Sequence, residues 1–363
     1  MKIALTNNYD LAAILSAWRA EGGSAPSQHL WGCVELTEQG HDVTVVTQKR
    51  SPFFSKLSRK LKAFGDLELQ YRLATCQGSY EAIYSAHHLT TSLLALLRRI
   101  GLLRTPLVAV AYQVPRNDSA AARLFVKLFV VGADRLLCLS DQLIEDYVRL
   151  GVPRHRMKRA HWGVDMRHYH PLPARRDVDR ANDEAPYILS PGKSFRDYKT
   201  LFQALGEVPD CRLVVTGATD LAIPEGFPDP QRVHIEREFI SWQALLKLYP
   251  RALAVVIPID VNAGNFNNAI GLTNATEALA CGRPIIATEN PYLGIDIEGE
   301  GVGIVVKPGD AAGWANAIRR LVENPDEADA MGTRARRLAE SKFNIIRYTQ
   351  EVVAAIEEAV AER

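Results

Sequence analysis

The sequence predicts an α/β protein made of two doubly wound parallel-sheet domains facing a central cleft. Three observations lead there. Short β-branched or apolar runs alternate with helical patterns along almost the whole chain, the rhythm of βαβ units covered by helices on both faces. A charged stretch bounded by prolines, 172–186, interrupts that rhythm with the composition of a linker. The 363 residues suffice for two domains at roughly 100–200 residues each. The expected organisation is a first domain at 1–171, a linker at 172–186, a second domain at 187–343 and a terminal helix at 344–363.

Lys2–Thr6 reads as the first strand. A loop at 21–27 with Gly22, Gly23 and Ser24 leads into a helical pattern through Leu30, Val34 and Leu36, which stops near Gly40. Residues 42–47 form a β-branched run of the kind found in buried parallel strands. Strands recur at 82–86, 107–111 and 136–139, with helical patterns between them. After the linker the rhythm restarts. Strands are expected at 187–190, 213–216, 233–235, 253–257, 285–288 and 303–306, with helices at 198–205 and 274–280. Three helices follow, at 311–323, 326–341 and 345–361.

Apolar residues at 47% and charged residues at 23% exclude disorder, collagen-like and disulfide-scaffold classes. No apolar run reaches the length of a membrane span. Asn7, Asn8 and Asp10 interrupt the first apolar run, so no signal peptide is expected. The cysteines number five with no CxxC, which points to reduced thiols in a cytoplasmic protein. The net charge of +1 hides an asymmetry: 22 basic and 14 acidic residues in 1–170 give +8, and the remainder carries −7. A basic first half is suited to an anionic partner.

Three segments carry candidate chemistry. In 271–288, a glycine enters a short helix, with Thr273 and Asn274 at its start, placed to cap the N–H groups or yield them to an anion. Glu277 follows one turn later, where a carboxylate suits the two hydroxyls of a ribose; the bland alternative is a capped helix with a surface glutamate. In 190–199, a strand leads through Gly192 into a turn carrying Lys193, Arg196 and Lys199, able to surround a diphosphate; the alternative is a solvated charged loop. Gly22 and Gly23 permit close backbone approach to a ligand, or mark a plain flexible loop.

Together these segments resemble the family 4 retaining glycosyltransferases, which have the GT-B fold of two Rossmann-like domains. The resemblance runs over nearly the whole chain: Gly22-Gly23, the run from Gly40 to Thr47, Ala86-His87-His88, Ala133-Asp134-Arg135, Trp162-Gly163-Val164-Asp165, Gly192-Lys193 with Lys199, Tyr249-Pro250-Arg251-Ala252, and Glu277 to Thr288. It implies a nucleotide-sugar donor, UDP- or GDP-linked, on the second domain and an acceptor on the first. It further implies transfer with retention, no metal or other cofactor, and a last helix that crosses back to the first domain. Lys193, Lys199 and Glu277 are then the catalytic set. Gly22, Gly23, Ser24, Gly192, Arg196, Thr273, Asn274 and Asn268 are donor-binding, and His87 and Gln113 acceptor-binding. The leaving diphosphate would take the acceptor proton, so no protein nucleophile is required.

Two departures stand out. The family has a glutamate separated from Glu277 by seven intervening residues, where this chain offers Ala269 or, with one inserted residue, Asn268; and where the family has a histidine after strand 107–111, it has Tyr112-Gln113. A non-catalytic binding or regulatory subunit and a nucleotide-sugar epimerase are therefore kept as rival functions. The stretch 49–64 sets Phe53, Phe54, Leu57, Leu61 and Phe64 in one stripe among Lys56, Arg59, Lys60 and Lys62. This suits peripheral contact with an anionic inner membrane face, or an ordinary amphipathic helix or a loop over the acceptor cleft. A glycan, a lipid-linked or a small-molecule acceptor fits the reading, with polysaccharide or other cell-envelope glycan biosynthesis as the setting; no nucleic-acid module is present.

Overall fold

The computed structural model describes residues 1–48, 51–60, 64–117, 119–171, 185–218, 220–238 and 240–362. Most of the expected linker, 172–184, lies outside them, as do Lys49, Arg50, Leu61 and Lys62 of the basic stretch. The chain divides into two compact units: Met1–Trp162 with Asn265–Ala269 and Ile345–Arg363, and Gly163–Gly264 with Ile270–Asn344. The division falls at Trp162, ahead of the expected 171. Backbone pairing explains it: Val164 bridges Asn344, and its N–H donates to Phe343 O, both in the second unit.

The first unit opens with β1 (Lys2–Thr6), α1 (Leu11–Ala20), α2 (Cys33–Glu38) and β2 (Asp42–Val45). Next come α3 (Pro52–Lys60), α4 (Leu67–Thr75), β3 (Ala82–Ser85), α5 (Ser92–Arg99), β4 (Leu107–Ala111) and β5 (Gln113–Pro115). α6 (Ala120–Phe129), β6 (Arg135–Cys138), α7 (Asp141–Arg149) and β7 (Met157–Arg159) follow. Six strands form a parallel sheet in the order β2-β1-β3-β4-β6-β7. Ile3, Leu5, Val108 and Val110 are fully buried, because helices cover both faces of its central strands. β2 differs from expectation. Its β-branched run lies at the sheet edge and alternates exposed with half-buried residues rather than being buried throughout.

Helix α1 was not expected from the sequence. The Asp10 carboxylate accepts from Ala13 N at 3.1 Å and caps it. Leu11 and Leu15 bury one side of the helix. The Gly22-Gly23 pair therefore ends a helix instead of preceding the first one.

The second unit contains β8 (Tyr187–Pro191), α8 (Tyr198–Gly206), β9 (Arg212–Thr216), β10 (Val233–Glu236), α9 (Trp242–Leu248) and β11 (Ala254–Ile257). The chain then makes β12 (Phe266–Asn268) within the first unit. It continues with α10 (Leu272–Ala280), β13 (Ile285–Thr288), β14 (Gly303–Val306), α11 (Ala311–Glu323) and α12 (Pro325–Ser341). The sheet order is β10-β9-β8-β11-β13-β14, parallel throughout. Ile188, Leu213, Val256, Trp314, Ile318 and Leu321 are among its core residues. The strand order reverses between β8 and β11, and ligands of such sheets bind beyond the carboxyl ends of the strands at that point.

The last helix, α13 (Ile345–Ala361), belongs to the first unit. The Tyr348 and Tyr84 hydroxyls lie 2.7 Å apart, Glu351 holds His161 Nδ1 at 2.8 Å, and Arg135 pairs with Glu358 and Glu362. Val352, Ala355, Ile356 and Ala359 bury its inner face.

Candidate functional site

In the second unit, β8 ends in a turn at Gly192, whose φ of +88° is in the left-handed region. A β-carbon there would stand 2.7 Å from Arg196 Nη2 and 3.0 Å from Asn274 Oδ1. Glycine is thus what lets the β8 turn, Arg196 and the start of α10 come together. Arg196 Nη2 donates to Asn274 Oδ1 at 2.6 Å and to Pro191 O at 2.9 Å, and Nη1 donates to Ser194 O at 3.0 Å. Its Nε–H is buried with no partner among the described residues. Burial lowers the Arg196 pKa from the ordinary arginine value, yet a guanidinium remains a cation at neutral pH. The turn is anchored to the end of β11: Asp197 N donates to Pro258 O, and Asp260 N to Phe195 O, both at 2.9 Å.

Lys193 is exposed in this turn and Lys199 is exposed in the first turn of α8. The α8 cap is Asp197, which accepts from Thr200 N at 3.1 Å. Arg196 turns inward to Asn274, whereas Lys193 and Lys199 are exposed.

α10 begins after Gly271, at φ +90°, with no side-chain cap. The expectation that Thr273 or Asn274 caps this helix is corrected. They lie inside its first turn, where the Asn274 side chain meets Arg196 and the Tyr249 hydroxyl at 3.4 Å, and Thr273 O accepts from Thr276 Oγ1 at 3.0 Å. The first N–H groups of α10 carry the positive end of the helix dipole without a side-chain acceptor.

Glu277 is 4% exposed, not a surface residue. The Tyr169 hydroxyl donates to Oε1 at 2.9 Å and the Tyr249 hydroxyl to Oε2 at 2.5 Å. Burial and the neighbouring carboxylate push the Tyr249 phenol well above its ordinary pKa, so it stays a donor. Tyr169 O in turn accepts from Arg336 Nη1 at 2.6 Å. Tyr249 stood within a quoted motif without a role; nothing in sequence spacing points to Tyr169.

In the first unit, a cavity of 860 Å³ opens beyond the carboxyl ends of β1, β2 and β3. Asn8, Asp66, His87 and Thr90 line it on one side, Phe125 and Phe266 on another. His87 Nδ1 lies 2.9 Å from Thr90 Oγ1, and Nε2 lies 3.4 Å from Gln113 Nε2. Its ring packs 5.0 Å from that of Tyr112. Burial pushes the His87 pKa down to about 4, which leaves a neutral imidazole at pH 7.

Residues 33–168 match the family model described as Glycosyltransferase Family 4, and residues 174–338 match Glycosyl transferases group 1. The chain belongs to the family 4 glycosyltransferases. D-inositol 3-phosphate glycosyltransferase of Rhodococcus jostii is 26% identical over 254 residues, 62% of this chain and 52% of that protein. The chain spans between 20% and 52% of the length of the first three curated relatives. Two solved structures show the same GT-B fold. Sucrose-phosphate synthase from Thermosynechococcus elongatus has a TM-score of 0.75 at 19% identity, covering 100% of both chains. Anabaena HepE in complex with UDP has a TM-score of 0.66 at 15% identity, covering 99% of this chain and 100% of that one.

The other residues expected at the glycosyltransferase site lie in the first unit. Gly22 and Gly23 have φ of +69° and +70°. A β-carbon at Gly23 would sit 2.9 Å from the Trp18 ring, so the α1 terminus itself requires that glycine. Ser24 Oγ donates to Glu21 O at 2.8 Å within the same turn. Asn268, expected in place of the family's first glutamate, lies in β12. It pairs with Gln113 in the antiparallel β12–β5 ribbon, and its Nδ2 donates to Phe266 O at 3.4 Å. The structure thus joins Asn268, Gln113 and His87 in one place, which sequence separation hid.

In the basic stretch, Phe54 stacks on Tyr71 at 5.8 Å and Phe64 packs on Phe129 at 4.9 Å, leaving Phe53 as the 72% exposed aromatic. The expected single stripe is therefore divided between packed and exposed residues. Among the described residues, no group of three or more His, Cys, Asp and Glu is placed to hold a metal ion, and no helix is long and apolar enough to cross a membrane.

Proposed function

We propose that this glycosyltransferase moves a sugar from a UDP- or GDP-linked donor to an acceptor hydroxyl, with retention and without a metal. The observation that carries this reading is the second-unit constellation of the Gly192 turn, Arg196, Asn274 and the uncapped start of α10. It offers a buried cation and free N–H groups where a diphosphate is held in sheets of this order. Lys193 adds a second cation with no competing partner among the described residues. Arg196 takes the part first assigned to Lys199, since its guanidinium is the one at the start of α10. Glu277, oriented by the Tyr169 and Tyr249 hydroxyls, is the carboxylate assigned to the ribose hydroxyls.

In the proposed reaction, the acceptor hydroxyl attacks the anomeric carbon from the face the diphosphate leaves. A diphosphate oxygen takes the hydroxyl proton. Lys193, Arg196 and the α10 dipole stabilise the charge that develops on the leaving group. The acceptor occupies the first-unit cavity. The setting is a cell-envelope glycan made at the inner membrane face, and Phe53, Lys56 and Arg59 of α3 supply the membrane contact. Flotation with anionic vesicles at low salt checks that contact; Phe53→Ser should reduce it.

The main test is incubation with UDP- and GDP-sugars, followed by NMR of the anomeric configuration. A product or slow donor hydrolysis with the donor's configuration retained supports the reading. An epimerised donor contradicts it. Arg196→Ala should lower turnover by about 100-fold or more, and Lys199→Ala far less.

A further inference from the structure

The first-unit cavity has two chemically distinct walls. At its polar wall stand Asp66, His87, Thr90 and Asn8; at its apolar wall stand Phe125 and Phe266, with Leu89, Pro115 and Ala122. Every described lining residue belongs to the first unit. The polar wall is fixed in place. Gly65, at φ +73°, brings its turn so close to the 89–90 backbone that a β-carbon there would be 2.6 Å from Leu89 O. Asp66 Oδ1 accepts from Leu69 N at 2.8 Å as the α4 cap, and its Oδ2 has no partner among the described residues. Thr90 and Gln113 hold His87 by its two nitrogens. The apolar wall comes from α6 and from β12, and Phe125 is supported by Phe129 at 5.5 Å.

No lysine or arginine is among the described lining residues. The ionisable groups are one carboxylate and a histidine that burial keeps neutral. Among the described lining residues, a phosphate or carboxylate would meet the Asp66 carboxylate and no cation. A hydroxylated, uncharged group suits this wall, since Asp66 accepts from hydroxyls and Asn8 and Thr90 both donate and accept. The opposite wall rewards burial of hydrocarbon.

We propose that the acceptor is an amphiphile: an uncharged, hydroxyl-bearing head against Asp66, Thr90 and His87, and an alkyl or aryl group against Phe125 and Phe266. This rests on the reading of the first-unit cavity as the acceptor site, and it narrows the acceptor to a class distinct from sugar or cyclitol phosphates.

The test is calorimetric titration of the full chain, without donor, with octyl β-glucoside below its micellar concentration, glucose and glucose 6-phosphate. Octyl glucoside should bind at least about tenfold tighter than glucose, since burial of two methylene groups suffices for that ratio, and glucose 6-phosphate should bind weakest. Phe125→Ala should remove most of the alkyl preference, whereas Phe53→Ser, on the exposed face of α3, should leave it intact. Equal binding of glucose and octyl glucoside, preference for the phosphate, or no binding of any of the three overturns the proposal. So does loss of the alkyl preference in Phe53→Ser instead of Phe125→Ala. A parallel UDP and GDP titration separates the two levels: nucleotide binding without alkyl preference defeats this inference alone, and failure of both defeats the transferase reading with it.

Discussion

Gly192 and Arg196 show how one backbone angle can position a charge. Alanine at 192 would face both a left-handed φ and a 2.7 Å clash with the guanidinium. Gly192→Ala should therefore cost about 1–2 kcal/mol of stability and weaken nucleotide affinity about tenfold or more, as Arg196 is displaced. Thermal melting and titration read the two effects separately. The histidine pair gives a pH prediction. Burial lowers His87 to about 4 and His88 to about 3, the latter also through its neighbour His87, with the His88 ring 2.8 Å from the Tyr147 hydroxyl. Both fall below their unfolded value, so unfolding takes up protons as pH drops. Their contribution is complete above about pH 6.5 and is lost from there down to about 4 for His87 and about 3 for His88, the His87 share being on the order of 3 kcal/mol. Urea midpoints should fall between pH 7 and 4.5, and less steeply in His87→Gln.

At the scale of elements, α13 tests how the first unit is completed. Its inner face, with Tyr348, Val352 and Ile356, is buried against that unit, and its outer acids pair with Arg135 and Lys158. A chain ending at 344 should lose cooperative unfolding of the first unit, and Tyr348→Phe should cost about 1–2 kcal/mol by leaving the Tyr84 hydroxyl short of a partner. Denaturant melts compare the two. Strands such as 107–111 and 285–288 were legible because a strand buried on both faces reads as a continuous apolar run. α1 was not, because its mixed alternation LAAILSAWRA buries only Leu11 and Leu15 and its cap is a single aspartate. The β12–β5 ribbon was illegible for another reason: each strand has three residues, and the partners are about 150 positions apart. Motif spacing led to Gly192, Asn274 and Glu277, but the choice between Arg196 and Lys199 depends on side-chain direction, which spacing does not contain.

For the whole molecule, the two units repeat one physical scheme, a parallel sheet whose order reverses beside its first strand, with candidate groups beyond the carboxyl ends of the strands. The two family models match one half each, 33–168 and 174–338. Nucleotide binding should accordingly raise hydrogen-exchange protection at 191–199 and 271–278 in the second unit, with smaller changes in the core strands. The most direct measurement is calorimetric titration of the wild type and of Arg196→Ala and Lys199→Ala with UDP and GDP. The account predicts that one nucleotide binds selectively, that Arg196→Ala abolishes or greatly weakens binding, and that Lys199→Ala changes it little. Binding of neither nucleotide, or unchanged binding in Arg196→Ala, would contradict it.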